Sequence, residues 1–458
     1  LCSMASQLAS AYVMCLSAAG MPVPGVAPQE QTAHMKASIR QAEEMLDTEA
    51  LPRVALAIMA GHGKSSFPHL ASVSEEQDTA ARHMAAVLVK RFVDVQDEAL
   101  PGDLLEAIAD GATACLADPR APADVRRQAA SNLSALVRKL GLDRCVRVVE
   151  ALVAAIRGAA AQVSAGRVEG MSALSGALAA AEMICDDSAD QMDREAPRGA
   201  APGSSELRVP AAVEGLCEAL LACASHPSAA VHLPAARSLS HLCAFLPPAL
   251  ARRAPALLDA LELLATAVKL EAAGGAAAGD GAAPDPATTS AAAPTAARAA
   301  AVCRCLASLA ESAGDSLVGR LGRLGSWAGA VITRAALETG GSQQGGRRAV
   351  GQTGPWGRAA LEAMAFLLAV CDGAWEREAR FVSEAEAAVA AAAPSLVRCL
   401  VLSEAAARGV EAVCGAEAAG SSTGEAHPGA ASGLTMAGAA AQPDTDALGE
   451  EDDDDYDY

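Results

Sequence analysis

The sequence predicts an all-α protein, a right-handed α-solenoid built from stacked antiparallel helical hairpins. Hydrophobic residues fill 52% of the 458 positions but aromatics only 2%. An interior of Ala, Leu and Val suits close-packed helices rather than strands, which favour aromatic and β-branched side chains. Apolar residues recur at three- and four-residue steps, the spacing of one helix face. Breaks rich in Pro, Gly and Ser separate these stretches almost throughout.

Residues 1–29 carry no charged side chain. The stretch lacks the positive start of a signal peptide, and Ser, Gln and Tyr interrupt its apolar run. Residues 1–35 are left unassigned and read as a disordered leader; the repeat region is placed at 36–414.

In "DTAARHMAAVLVKRF", Ala81, Met84, Ala85, Leu88 and Phe92 share one face, with Arg82, His83 and Lys90 off it. "PADVRRQAASNLSALVRKLG" has start signals in Pro122 and Asp124, an apolar stripe of Val125, Ala129, Leu133, Leu136 and Leu140, and a stop in Gly141. Ala81 and Val125, the equivalent first apolar residues, stand 44 residues apart. That matches the roughly 40–47-residue period of HEAT and armadillo repeats, whose hairpins bury their apolar faces only by stacking on neighbours. A related unit has Val231, Ala235, Leu239 and Leu242 in phase; Pro234 fits it only in the first helical turn or at a kink.

Partner helices fall at "LPGDLLEAIADGATACLAD", "CVRVVEALVAAIRGA" and "APALLDALELLATAVKL". Later ones fall at "AAVCRCLASLAESAG", "RAALEAMAFLLAVCDGA" and "EAEAAVAAAAPSLVRCLVL". Low-complexity stretches at 188–208, 271–297 and 339–356 read as flexible insertions, and 415–458, ending "GEEDDDDYDY", as a disordered acidic tail.

The net charge of −20 disfavours nucleic acid and anionic membrane and favours basic partners. No segment reads as the ~20 uninterrupted apolar residues of a membrane span. Thirteen cysteines scattered singly in apolar stretches read as reduced thiols of a cytosolic or nuclear protein.

Four motifs invite a chemical reading. "AGHGKSS" around Lys64 has Ile58 where a phosphate loop needs its first Gly, and no strand leads into it. Cys217, Cys223, His226, His232, His241 and Cys243 are spaced along helical stripes, unlike the close ligand pairs of structural zinc. His83 has no nearby Ser, Cys or carboxylate to complete a nucleophile constellation. Asp452 to Asp455 form a solvated acidic run or a dock for a basic surface. No catalytic, metal or cofactor-binding residue is assigned, and the chain reads as non-enzymatic.

"SIRQAEEMLD" followed by "DTAARHMAAVLVKRF" resembles the first two repeats of karyopherin-β nuclear import receptors. The matching residues are Arg40, Ala42, Glu43, Arg82, Ala85, Ala86, Val87, Leu88, Lys90 and Arg91. Later pieces are similar, in the same order, to the importin-beta-3 branch: "VRRQAASNLSALVRKL", "HPSAAVHLPAARSLSHL", "RAAAVCRCLASLAESAGDSLVGRLGRL", "RAALEAMAFLLAV" and the acidic end. The resemblance covers about residues 36–458 and implies the amino-terminal part of such a receptor.

It implies that the second helices of the pairs hold cargo or the GTP-bound GTPase Ran. It also implies that the first helices contact FG-repeat nucleoporins and that the protein shuttles between cytoplasm and nucleus. Arg40, Glu43, Arg82, Lys90 and Arg91 are the candidate partner-binding residues. The alternative for the basic edge is that it braces the repeats through neighbouring carboxylates; the alternative for the whole chain is a HEAT/armadillo scaffold with no transport role.

Overall fold

In the computed structural model the described residues are 2–46, 48–62, 72–96, 100–193, 205–268, 286–340, 355–374 and 379–397. They are helical with no strand among them, and all belong to a compact unit spanning 1–403; a second unit, 404–458, lies outside them. The helices are α1 (Cys2–Ala18), α2 (Gln31–Met45), α3 (Ala50–Met59), α4 (Glu75–Val95), α5 (Gly102–Ala117), α6 (Ala123–Leu140), α7 (Leu142–Ser164) and α8 (Val168–Met192). They continue with α9 (Ser205–Ala224), α10 (His232–Phe245), the single turn α11 (Pro248–Ala251), α12 (Ala254–Ala267), α13 (Pro286–Ala313), α14 (Leu321–Gly340), α15 (Pro355–Ala374) and α16 (379–397).

Local chemistry accounts for the boundaries. Ser74 caps α4 by accepting from the Gln77 amide, while the Gln77 side chain accepts from the Ser74 amide, a reciprocal capping box. Pro122 precedes α6 and Gly141, at φ +78°, ends it, a conformation glycine adopts without penalty. Pro234 is the third residue of α10, inside the first turn, where its missing N–H has no intrahelical partner to lose.

The helices pack in two rows. In the first, α1, α4, α6, α8, α10, α13 and α15 each lie against the next. In the second, α3, α5, α7, α9 and α12 do the same. Arg320 and Arg323 then join α14 to Asp259 and Glu262 of α12, and Gly325 of α14 abuts Ala388 of α16. Ala81 and Val125 are fully buried on neighbouring first-row helices, so the 44-residue spacing is one step along that row. Buried residues of both rows join in one continuous core of Ala, Leu, Val and Cys.

Small side chains let the rows close. A Cβ added at Gly325 would lie 2.6 Å from the Ala388 Cβ and 2.7 Å from its Cα, and one at Gly329 would lie 3.0 Å from the Ala392 Cα. Residues at helical i and i+4 thus form a seat for α16. α8 is long and apolar enough to cross a membrane by composition, yet it is packed against α6, α7 and α10 and most of its apolar window is buried.

Two expectations change. Residues 1–35 are not a disordered leader: α1 buries Tyr12, Met14, Cys15 and Leu16 and packs on α2 and α4, with the Tyr12 hydroxyl donating to Asp78 at 2.7 Å. A charge-free stretch looks like a leader only until a neighbouring apolar face is there to receive it. The insertions are shorter than 188–208, 271–297 and 339–356, because α8 reaches Met192, α9 starts at Ser205, α13 starts at Pro286, α14 reaches Gly340 and α15 begins at Pro355. Their remaining residues, the loop around Lys64, and the chain beyond 397 lie outside the described residues.

Candidate partner-binding surface

The five candidate residues separate in space. Arg40 and Glu43 are exposed on α2. Arg91, exposed on α4, reaches Glu43 at 3.7 Å, so these two form a brace between helices. Arg82 is 9% exposed; its Nε donates to the Met59 carbonyl at 2.9 Å and its guanidinium lies beside Gly61, where the chain leaves α3. It is a corrected expectation: Arg82 satisfies a helix-end carbonyl, one of the acceptors a helix leaves without an internal partner. Lying off the apolar stripe of α4 did not put it in solvent, because α3 covers that flank too.

Lys90 alone faces the first-row surface. It lines a recess of ≈ 180 Å³ with Ser131, Ser134 and Arg138 of α6 and Met183 and Asp186 of α8. From there a charged stripe crosses the row. Arg138 stands between Asp94 at 3.4 Å and Asp187 at 3.8 Å, Ser134 donates to Asp187, and Lys139 donates to the Asp94 carbonyl at 2.7 Å. His241 of α10 meets Asp186 at 3.0 Å and Arg237 meets Glu182 at 3.5 Å. Arg304 of α13 closes on Glu362 of α15 at 2.6 Å. Beyond it the face turns apolar, with Leu361 and Leu368 59% and 61% exposed.

Burial tunes two of these groups. It raises the Glu182 carboxyl above its ordinary value, against the pull of Arg237. It lowers the His241 imidazole, partly offset by Asp186. Beneath the stripe, Asn132 is wholly buried and donates to the Ala86 carbonyl at 3.1 Å, a cross-helix bond that fixes the register of α4 and α6.

The second row carries its own ladder. Arg53 pairs with Asp103, Arg147 with Glu106 at 2.6 Å, Arg208 with Glu150 at 2.8 Å, and Arg157 with Glu218 at 2.8 Å. Arg253 bonds Glu214 at 3.0 Å and Glu218 at 2.5 Å, so three helices share one network. Sequence reading missed both ladders, since partners 35–61 residues apart follow no local spacing.

The Cys/His group is dispersed among separate partners. His226 meets Ser164 at 3.2 Å, His232 donates to the His226 carbonyl, and His241 faces Asp186. Cys217, Cys223 and Cys243 are buried, and burial pushes the first two thiols up to about 12 and about 11, far from the thiolate. His83 is half-buried on α4. No protein-family model matches the chain, and no curated protein is similar enough to be matched.

Proposed function

We propose that the two rows are the paired helices of a right-handed HEAT-type α-solenoid, and that the chain is the amino-terminal part of a nuclear import receptor. In this reading it binds protein cargo and the GTP form of Ran along the first row and shuttles between cytoplasm and nucleus. The observation that carries it is the order of the rows: from α3 to α13 successive hairpins add one helix to each row and pack on the adjacent hairpins. This leaves the charged stripe from Lys90 to Glu362 as a long open face. The motif order from "RQAEE" to "RAALEAMAFLLAV" adds the transport assignment by resemblance.

Stripe carboxylates at Glu182, Asp186 and Asp187 suit basic segments of cargo, for which complementary charge speeds encounter. Cargo release would follow from opposing preferences of cargo and Ran for solenoid shape. The direct test retains Ran, locked with GTP or with GDP, on the immobilised chain. Retention of the GTP form alone, weakened up to about fivefold by Lys90→Glu, is expected, as a charged contact at a partly exposed site contributes up to about 1 kcal/mol. Equal or absent retention of the two forms sinks the transport reading.

A second reading, a repeat scaffold without a transport role, is favoured by one observation. Arg82 and the Glu43–Arg91 pair, which the resemblance offers to a partner, are engaged within the fold.

A further inference from the structure

α15 is the last described helix of the first row, and its outer face differs from those before it. The exposed residues of α15 are Arg358, Leu361, Ala365, Leu368 and Asp372, spaced by three and four positions so that all five share one face. Along the same row α8 presents Asp186 and Asp187, α10 presents Arg237 and His241, and α13 presents Arg304. Among the described residues no other helix exposes two large apolar side chains. A single exposed leucine is ordinary on a protein surface, whereas two of them about 10 Å apart on one helix face form a strip that gains by leaving water.

The strip is symmetric about Ala365. Arg358 lies seven residues before it and Asp372 seven after, while Leu361 and Leu368 lie four before and three after. About 21 Å of helix separates Arg358 from Asp372, too far for them to meet within one chain, and neither has a described ion-pair partner. Glu362, one turn from Arg358, is taken by Arg304 of α13 instead.

Such a face is complementary to itself. A second α15 laid antiparallel on the first, with a twofold axis through Ala365, sets Leu361 of each copy beside the partner's Leu368 and Arg358 of each beside the partner's Asp372. The small side chain at the axis lets the two helices close to the about 8–10 Å at which helices pack. Parallel pairing would set Arg358 against Arg358 and Asp372 against Asp372, so charge selects the antiparallel arrangement. We propose that two copies of the chain associate through the exposed face of α15 in an isologous twofold dimer, its core formed by four leucines and its ends closed by two Arg358–Asp372 pairs.

The test is sedimentation equilibrium of the full chain at ~150 mM salt, where a Debye length of about 8 Å screens the repulsion between copies of net charge −20 and leaves contact pairs intact. The mass is expected to rise from one copy toward two between about 1 and 100 µM, as suits a small interface. Leu368→Glu is expected to stay monomeric throughout. Arg358→Asp and Asp372→Arg are each expected to weaken the dimer about three- to tenfold, since each turns two attractive pairs into repulsive ones, and the double variant to recover to within about twofold of wild type. At about 1 µM, where both are monomers, Leu368→Glu is expected to melt within about 2 °C of wild type, because the side chain already lies in water. A wild-type chain that remains monomeric, a dimer that survives Leu368→Glu, or a double variant no tighter than the single ones overturns the proposal. So does a Leu368→Glu monomer that melts several degrees early, which would mean that the chain itself covers this face.

Discussion

Arg82 and Arg91 lie nine positions apart on α4, carry the same charge, and have opposite consequences. Arg82 is enclosed and its hydrogen bond holds the end of α3, so Arg82→Met strands the Met59 carbonyl. A loss of about 1.5–3 kcal/mol is expected from urea denaturation, the range for hydrogen bonds to charged groups. Arg91→Ala breaks only an exposed 3.7 Å pair with Glu43 and is expected to cost less than about 1 kcal/mol. Equal losses in the two variants would refute the division of the basic edge into a buried strut and a surface brace. The sequence displayed both charges equally; burial, which depends on α3 crossing that flank, separates them.

Helix by helix, glycine is a sharper probe than charge. Gly158 lies inside α7 with nothing within 4 Å of an added Cβ, so Gly158→Ala is expected to stabilise by about 0.5–1 kcal/mol through helix propensity. Gly325 on α14 is pressed against the Ala388 backbone, where the same methyl would drive α16 away. Gly325→Ala is expected to destabilise by roughly 1–3 kcal/mol and to speed proteolysis within 379–397. A stabilised Gly325→Ala would show that α16 does not seat there. The helices themselves were legible: α6 starts and stops at the predicted Pro122 and Gly141, and the stripes of α4, α6 and α10 are buried except for the half-buried Met84 and Leu140. α1 was not, because its Ser, Gln and Tyr look like interruptions until Tyr12 is seen to bury its ring and donate to Asp78.

Across the whole described unit, row order predicts how the protein unfolds. On the proposed solenoid reading, stability is a sum of repeat and nearest-neighbour terms, and the ends can open before the middle. The three tryptophans sit at 327, 356 and 375, all in the last third of the chain, whereas far-UV circular dichroism samples every helix. The fluorescence and dichroism transitions in urea are therefore expected to separate, with Trp327 and Trp356 reporting α14 and α15; Trp375 lies outside the described residues. Superimposable curves would count against nearest-neighbour packing.

Composition and periodicity by themselves determined the helical class of the described residues and the 44-residue step between the two best-marked helices, because those properties follow from local propensity and one-face burial. Only the tertiary structure decided which charges are free. The ion-pair ladders, the sheltering of Arg82 and the half-burial of Lys90 all depend on side chains dozens of residues apart being brought within a few ångströms. Helix periodicity places a residue on a face, but the neighbouring helices determine whether that face meets water, a counter-charge or neither.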